Sequence, residues 1–277
     1  MKTKRFASRF MLVLILSMCS VTLSSQVKVR NPGFQPEVGQ EGKDVVWVPT
    51  PQALVEKMLD LAQVTPKDFL IDLGSGDGRT VITAAKRGIH AIGIEYNPDM
   101  VDLSRKNAEE AGVSNMAQFL ETDLFAYDFS KATVITMFLL PDINMRLRPK
   151  ILDMKPGTRI VSNTFTMQDW QSDARAEIDD MATSWNTCYL WIVPAKVAGK
   201  WTLSNGGSLA LNQDFQMLSG ELSTGGREQA ISEGRLKGAE ITFKAGNDTY
   251  KGVVNGNRME GTVATGNGTV KWSAAKQ

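Results

Sequence analysis

The chain has 277 residues, 42% hydrophobic and 22% charged, which suits one large folded domain or two modest ones and excludes a disordered chain. Lys and Arg total 31 against 30 Asp and Glu; four of the basic residues and no acid fall in residues 1–25, leaving 27 against 30, so charge gives no reason to expect a nucleic-acid partner. A single histidine, His90, and two cysteines, Cys19 and Cys188, exclude a His-rich metal site, a Cys-x-x-Cys knuckle and a disulfide framework, and no metal is expected.

Residues 1–9 are basic, and Phe10 to Leu23 form a mostly apolar run of 14 residues, short of the ~20 that span a bilayer as a helix. With the polar, small-residue end Leu23-Ser24-Ser25-Gln26, this describes a secretory signal peptide over 1–25, cleaved near Ser25. The positive charges ahead of the run send the body outward, to the periplasm or cell envelope. The alternative is an uncleaved anchor with a cytoplasmic body, touching membrane through this segment alone.

Residues 26–46 carry Pro, Gly and charge without periodicity and read as an N-terminal arm. A helix then starts at Thr50-Pro51, with Thr50 as N-cap and Leu54, Met58, Leu61 and Ala62 as its apolar stripe. FLIDL (69–73) is a short apolar run, as a buried parallel strand should be. A helix over 79–86 follows, then strand 90–95, a helix over 99–111 opened by Asn97-Pro98, strand 117–121, strand 133–138, a helix over about 144–153, strand 157–162 and a late strand at 187–194. This βαβ alternation predicts a doubly wound, mostly parallel sheet over 47–195.

From Val197 helical periodicity vanishes, and short alternating runs appear between Gly/Asn turns such as Asn205-Gly206, Gly246-Asn247 and Asn255-Gly256. Residues 196–277 are expected to form a small all-β meander or barrel. Gly199-Lys200-Trp201 resembles the Gly-x-Trp of lipocalins, but about 80 residues is short for an eight-stranded ligand-holding cup, so none is expected.

The chemistry concentrates in Asp72-Leu73-Gly74-Ser75-Gly76-Asp77-Gly78-Arg79, between the first strand and its helix. Glycine-rich turns there bind nucleotides, because glycine adopts positive φ and lets backbone approach a ligand. The spacing is G-x-G-x-G rather than the G-x-G-x-x-G of dinucleotide sites, and two carboxylates, Asp72 and Asp77, would repel a pyrophosphate. They suit a ligand bearing an ammonium and a sulfonium. Glu95 ends the second strand, 17 residues beyond Gly78, where an acid accepts hydrogen bonds from ribose hydroxyls, and Asn97 lies near enough to add a polar contact.

This loop, with Glu95 and then Glu121-Thr122-Asp123-Leu124, resembles class I S-adenosylmethionine-dependent methyltransferases from about Val48 to Pro194. The resemblance implies a Rossmann-like seven-strand sheet, S-adenosylmethionine as cofactor, Asp123 at the adenine amino group and Leu124 against the ring. VPTP (48–51), TVITMFLLP (133–141), LRPKIL (147–152), KPGTRIVSNTF (155–165) and Asp169-Trp170 look like a bacterial group related to the small mitochondrial protein-lysine methyltransferases. That likeness implies an amine acceptor, a protein lysine being favoured, taken near the strand-end segment Phe138-Leu139-Leu140-Pro141. Phe138, Leu139, Pro141 and Trp170 are the acceptor-slot candidates, and Thr50 is expected over the methionine end of the cofactor. An apolar slot would keep the amine neutral by desolvation. The alternative is an exported, non-catalytic binding module that works through its β domain. It takes its force from the signal-like head and the β tail, which those relatives lack.

Overall fold

A computed structural model describes residues 30–31, 33–180 and 184–277, so the expected signal segment lies outside the described residues. Its first half runs α1 (Gln52–Leu61), β1 (Phe69–Leu73), α2 (Arg79–Lys86), β2 (His90–Glu95), α3 (Pro98–Glu110), β3 (Ala117–Glu121), β4 (Val134–Met137), α4 (Pro141–Leu152), β5 (Arg159–Asn163), β6 (Ala174–Glu177) and β7 (Thr187–Ile192). The seven strands form one sheet in the order β3-β2-β1-β4-β5-β7-β6. β1 to β5 are parallel, and β7 is antiparallel to β5 and β6. The winding reverses at β1, between β2 and β4, and in open α/β sheets that reversal leaves a ligand crevice at the carboxyl ends of the strands.

Alternate residues of the central strands feed two cores. Leu70 and Val134 face Leu54, Met58, Val81 and Val101 of α1–α3, while Ile71 and Ile135 face Phe129 and Ile143, Leu147 and Ile151 of α4. Two helix starts differ from the sequence reading. α1 is capped by Pro51 without a side-chain bond, and the Thr50 hydroxyl instead accepts a hydrogen bond from Asn163 Nδ2 at 3.2 Å. α4 begins at Pro141, because a proline needs no N–H partner at the first helical position. Asn97 caps α3 as expected, its Oδ1 accepting from the Asp99 N–H at 2.9 Å. Among the described residues no helix is long and apolar enough to cross a membrane.

The second half is β8 (Gly199–Leu203), β9 (Ser208–Asp214), β10 (Met217–Thr224), β11 (Arg227–Lys237), β12 (Glu240–Ala245), β13 (Asp248–Asn255), β14 (Arg258–Thr265) and β15 (Gly268–Lys276). These eight strands pair antiparallel with their chain neighbours, and β15 returns to β8, closing a barrel. Eight strands fit in so few residues because most hairpins turn in two, as at Gly225-Gly226 and Gly246-Asn247. About 80 residues thus suffice for an eight-stranded barrel. The interior is nonetheless filled. Phe243 and Tyr250 stack at 4.7 Å, Trp272 meets both edge-on, and Trp201 is fully buried. Gly252 makes room for this packing: a Cβ there would stand 2.8 Å from Trp272 Cζ2 and 2.7 Å from the Glu260 carbonyl.

Candidate active site

At the carboxyl end of β1, Asp72 lies beside Thr136 of β4, whose hydroxyl donates to Asp72 Oδ1 at 2.6 Å. Asp72 is only 6% exposed. Burial pushes its carboxyl up to about 7, and the nearby Glu95 and Asp77 carboxylates push the same way. The next residues turn sharply, with φ of 77° at Gly74, 55° at Gly76 and 83° at Gly78. The Gly74 and Ser75 amides donate to the Ile94 carbonyl, tying the loop to β2. At Gly76 a Cβ would stand 2.7 Å from the Trp47 indole nitrogen, so both the turn and the close approach of the arm require glycine.

Glu95 is locked by three backbone N–H donors: Gly76 at 3.0 Å, Tyr96 at 2.8 Å and Asn97 at 2.9 Å. Asp77 is held by the Arg79 guanidinium, through Nε at 3.0 Å and Nη2 at 2.6 Å, while Arg79 Nη1 donates to the Thr50 carbonyl at 2.9 Å. Asp123 Oδ1 accepts from the Phe125 N–H, and Oδ2 accepts from the Lys43 ammonium at 2.6 Å. That ammonium holds the Asp123 carboxyl below its ordinary range, and also sits 4.5 Å from the Tyr96 ring centroid.

These groups surround one cavity of about 210 Å³. Thr50, Asp72, Gly74, Ser75, Gly76, Asp77, Glu95, Asn97, Asp123, Leu124, Phe138 and Leu139 all line it, as the sequence reading grouped them. Three other candidates do not. Gly78 lies behind the loop as the N-cap of α2, where a Cβ would strike the Phe119 ring, so it serves helix–sheet packing. Pro141 is exposed at the start of α4. Trp170 is fully buried against the barrel, its indole donating to Gln216 Oε1 at 2.9 Å. Asn97 reaches the cavity, but its side-chain oxygen is taken by the α3 cap.

The structure also adds residues. Arm residues 40–48 form one wall, closed by paired hydrogen bonds between Gly39 and Trp47 and between Trp47 and Gln40. Phe165 and Trp185 also line the cavity and join Phe138 in an aromatic trio, with centroids 5.4–6.0 Å apart. Phe165 closes the KPGTRIVSNTF segment, so a signal for it existed; Trp185 sits in a stretch with no periodicity.

The chemistry of the cavity fits S-adenosylmethionine. Acids line it, Leu124, Ile94 and Met100 offer an apolar face for an adenine, and Ser75 Oγ is buried without a hydrogen-bond partner. Residues 72–174 match the family model of the ANTKMT methyltransferase domain. A protein-lysine N-methyltransferase of Saccharolobus islandicus is 40% identical over 152 residues, which is 54% of this chain and 94% of that protein. The chain belongs to the class I S-adenosylmethionine-dependent methyltransferases, in the neighbourhood of the small lysine methyltransferases. The crystal structure of an RNA methyltransferase from Salinibacter ruber in complex with S-adenosyl-L-homocysteine is 45% identical, with a TM-score of 0.51, covering 54% of this chain and 96% of that one. The adenine nucleotide translocase lysine N-methyltransferase of Mus musculus is 35% identical over 119 residues, 42% of this chain and 52% of that protein. The methyltransferase carries its barrel beyond the reach of the family model, which stops at residue 174.

Proposed function

We propose that this methyltransferase transfers its methyl group to the ε-amine of a protein lysine. The observation that carries this reading is the Phe138–Phe165–Trp185 trio, which lines the same cavity as Asp72 and Glu95. S-adenosylmethionine, when bound, supplies an electrophilic methyl group on a sulfonium. The chain has to bind, orient and dry the reactants. In this reading Glu95, which three amides fix at the cavity, accepts from ribose hydroxyls, and Asp72 faces the methionine ammonium. Arg79 brings a guanidinium to the cavity wall beside the Thr50 carbonyl, suited to the cofactor's carboxylate. Leu124 and Asp123 suit the adenine ring and its amino group, with Lys43 yielding its hold on Asp123.

On the acceptor side, the aromatic faces and Leu139 exclude water. Desolvation favours the neutral amine, the form with a free lone pair, and ring faces stabilise the cation that forms on transfer. Holding amine and methyl in line supplies rate by orientation, an effect with a ceiling of about 7–11 kcal/mol. The lysine reading is also favoured by the lysine methyltransferases among the relatives. Family membership favours turnover over a scaffold role for the sheet.

The test is methyl-labelled S-adenosylmethionine with the full chain and a cell extract. Label that survives nuclease, is released by protease and is recovered as methyl-lysine supports the reading. Label in RNA overturns it in favour of the class named for the Salinibacter relative. The compartment is a separate proposal: the basic-apolar head favours export, and recovery of tagged protein in the cytoplasmic fraction would refute that.

A further inference from the structure

Phe165 of the trio sits on a loop that is conformationally expensive. Thr164 (φ 60°) and Gln168 (φ 54°) both lie in the left-handed region, which costs most for a β-branched residue such as Thr. Such a loop persists only where surrounding contacts over-determine it. Its own half supplies some: Asn144 Nδ2 donates to the Thr166 carbonyl at 3.3 Å, and Arg148 to the Met167 carbonyl at 3.1 Å. The far end of the loop is held by the barrel. Gln216, 2% exposed in the turn between β9 and β10, accepts from the Trp170 indole at 2.9 Å and donates to the Gln171 carbonyl at 2.7 Å. Phe215, at φ 50° in the same turn, stacks on Trp170 at 5.7 Å and 14°. Arg235 of β11 adds a bond to Asp173 at 2.7 Å.

We propose that the barrel is a positioning module for the acceptor side of the site: its β9–β10 turn, through Gln216 and Phe215, holds the 164–172 loop in its strained form and so keeps Phe165 in the aromatic trio. Gln216 and Phe215 are positioning residues, since neither lines the cavity. A closed, filled barrel suits this role: it offers a rigid turn rather than a ligand cup. Its functional consequence rests on the reading of the trio as the acceptor slot.

The experiment uses the full chain with Gln216→Ala, Gln216→Glu and Phe215→Leu, and Val270→Ala on the exposed barrel surface as control. Three quantities are measured: amide exchange over 164–172, S-adenosylmethionine affinity by calorimetry, and binding of butyltrimethylammonium to the S-adenosylhomocysteine-loaded enzyme by tryptophan fluorescence. Gln216→Ala should speed exchange in the loop about tenfold, weaken the ammonium probe about fivefold and leave cofactor affinity within about twofold. Gln216→Glu should loosen the loop at least as much as Gln216→Ala, since a carboxylate still accepts from the Trp170 indole but sets an acceptor against the Gln171 carbonyl in a buried site. Phe215→Leu keeps bulk in the seam while losing the stack, and should also loosen the loop. Loop exchange equal to wild type in all three variants, or exchange raised equally across the whole sheet, overturns the proposal. If the wild-type enzyme does not take up the ammonium probe while the loop still responds, the acceptor-slot reading falls and the clamp stands.

Discussion

At the carboxyl ends of β1, β2 and β4 the sheet half leaves a cavity of about 210 Å³ walled by carboxylates and aromatic rings, whereas the barrel fills its interior with Trp201, Phe243, Tyr250 and Trp272. Both halves use glycine to bring groups close together, but for different ends. At Gly76 the neighbour is the Trp47 indole in the wall of a ligand cavity; at Gly252 it is the Trp272 ring in a packed core. The same residue type therefore protects access in one half and packing in the other, and the two should fail in different ways.

The largest expected effect breaks the comparison at those glycines. Gly76→Val should cost about a hundredfold or more in S-adenosylmethionine affinity by calorimetry, through a blocked wall, on top of about 1–3 kcal/mol of stability lost to strain at positive φ. Gly252→Val should lower stability by about 1–3 kcal/mol in denaturant titrations but leave cofactor affinity unchanged. Equal losses of affinity in both variants would show that the halves are not separable in this way.

A smaller effect sharpens the electrostatic side. With Asp72 held at about 7 by burial, its ionised form, which attracts a cationic ligand, fills in as pH rises. Cofactor affinity should therefore climb about tenfold from pH 6 to pH 8, and Asp72→Asn should flatten that profile. Stability of the ligand-free enzyme moves the other way. A carboxyl raised in the fold contributes stability that is full below the ordinary carboxylate range and is lost as pH rises through about 7. The smallest effect is expected at the arm. Lys43→Ala frees Asp123 and removes a positive charge from the cavity, so cofactor affinity should rise about two- to threefold at low salt, a gain that shrinks at high salt.

Apolar runs such as FLIDL and HAIGIE make the sheet legible in the sequence, because a strand buried on both faces leaves no polar alternation to confuse it. The acidic wall of the cavity is legible for a related reason: strand ends bring Asp72, Glu95 and Asp123 to it in order, whatever the helices do. β6 and β11 escape because ARAE and REQAISEGRLK are mostly polar, their outer faces turned to water. Trp170 and Trp185 resist sequence reading for a spatial reason. A loop with two left-handed residues aims its side chains where no periodicity indicates, so Trp170 goes to the seam while Phe165 meets Phe138, and Trp185 joins them from the connection ahead of β7. The arm wall depends on Trp47 and Lys43 reaching across the chain to Gly76 and Asp123, which spacing along a sequence does not encode.

The closed ring of β8 to β15 has a consequence for crowding. A closed ring of paired strands has no edge strand, so among the described residues the edge strands are the outermost ones of the other sheet, β3 and β6. β6 is four residues long and points Arg175 and Glu177 into solvent, joined to each other at 2.6 Å. Beside β3, Arg30 grips Glu121. Any intruding strand would have to strip water from those charges first, a barrier that favours solitary molecules over fibrils at high concentration.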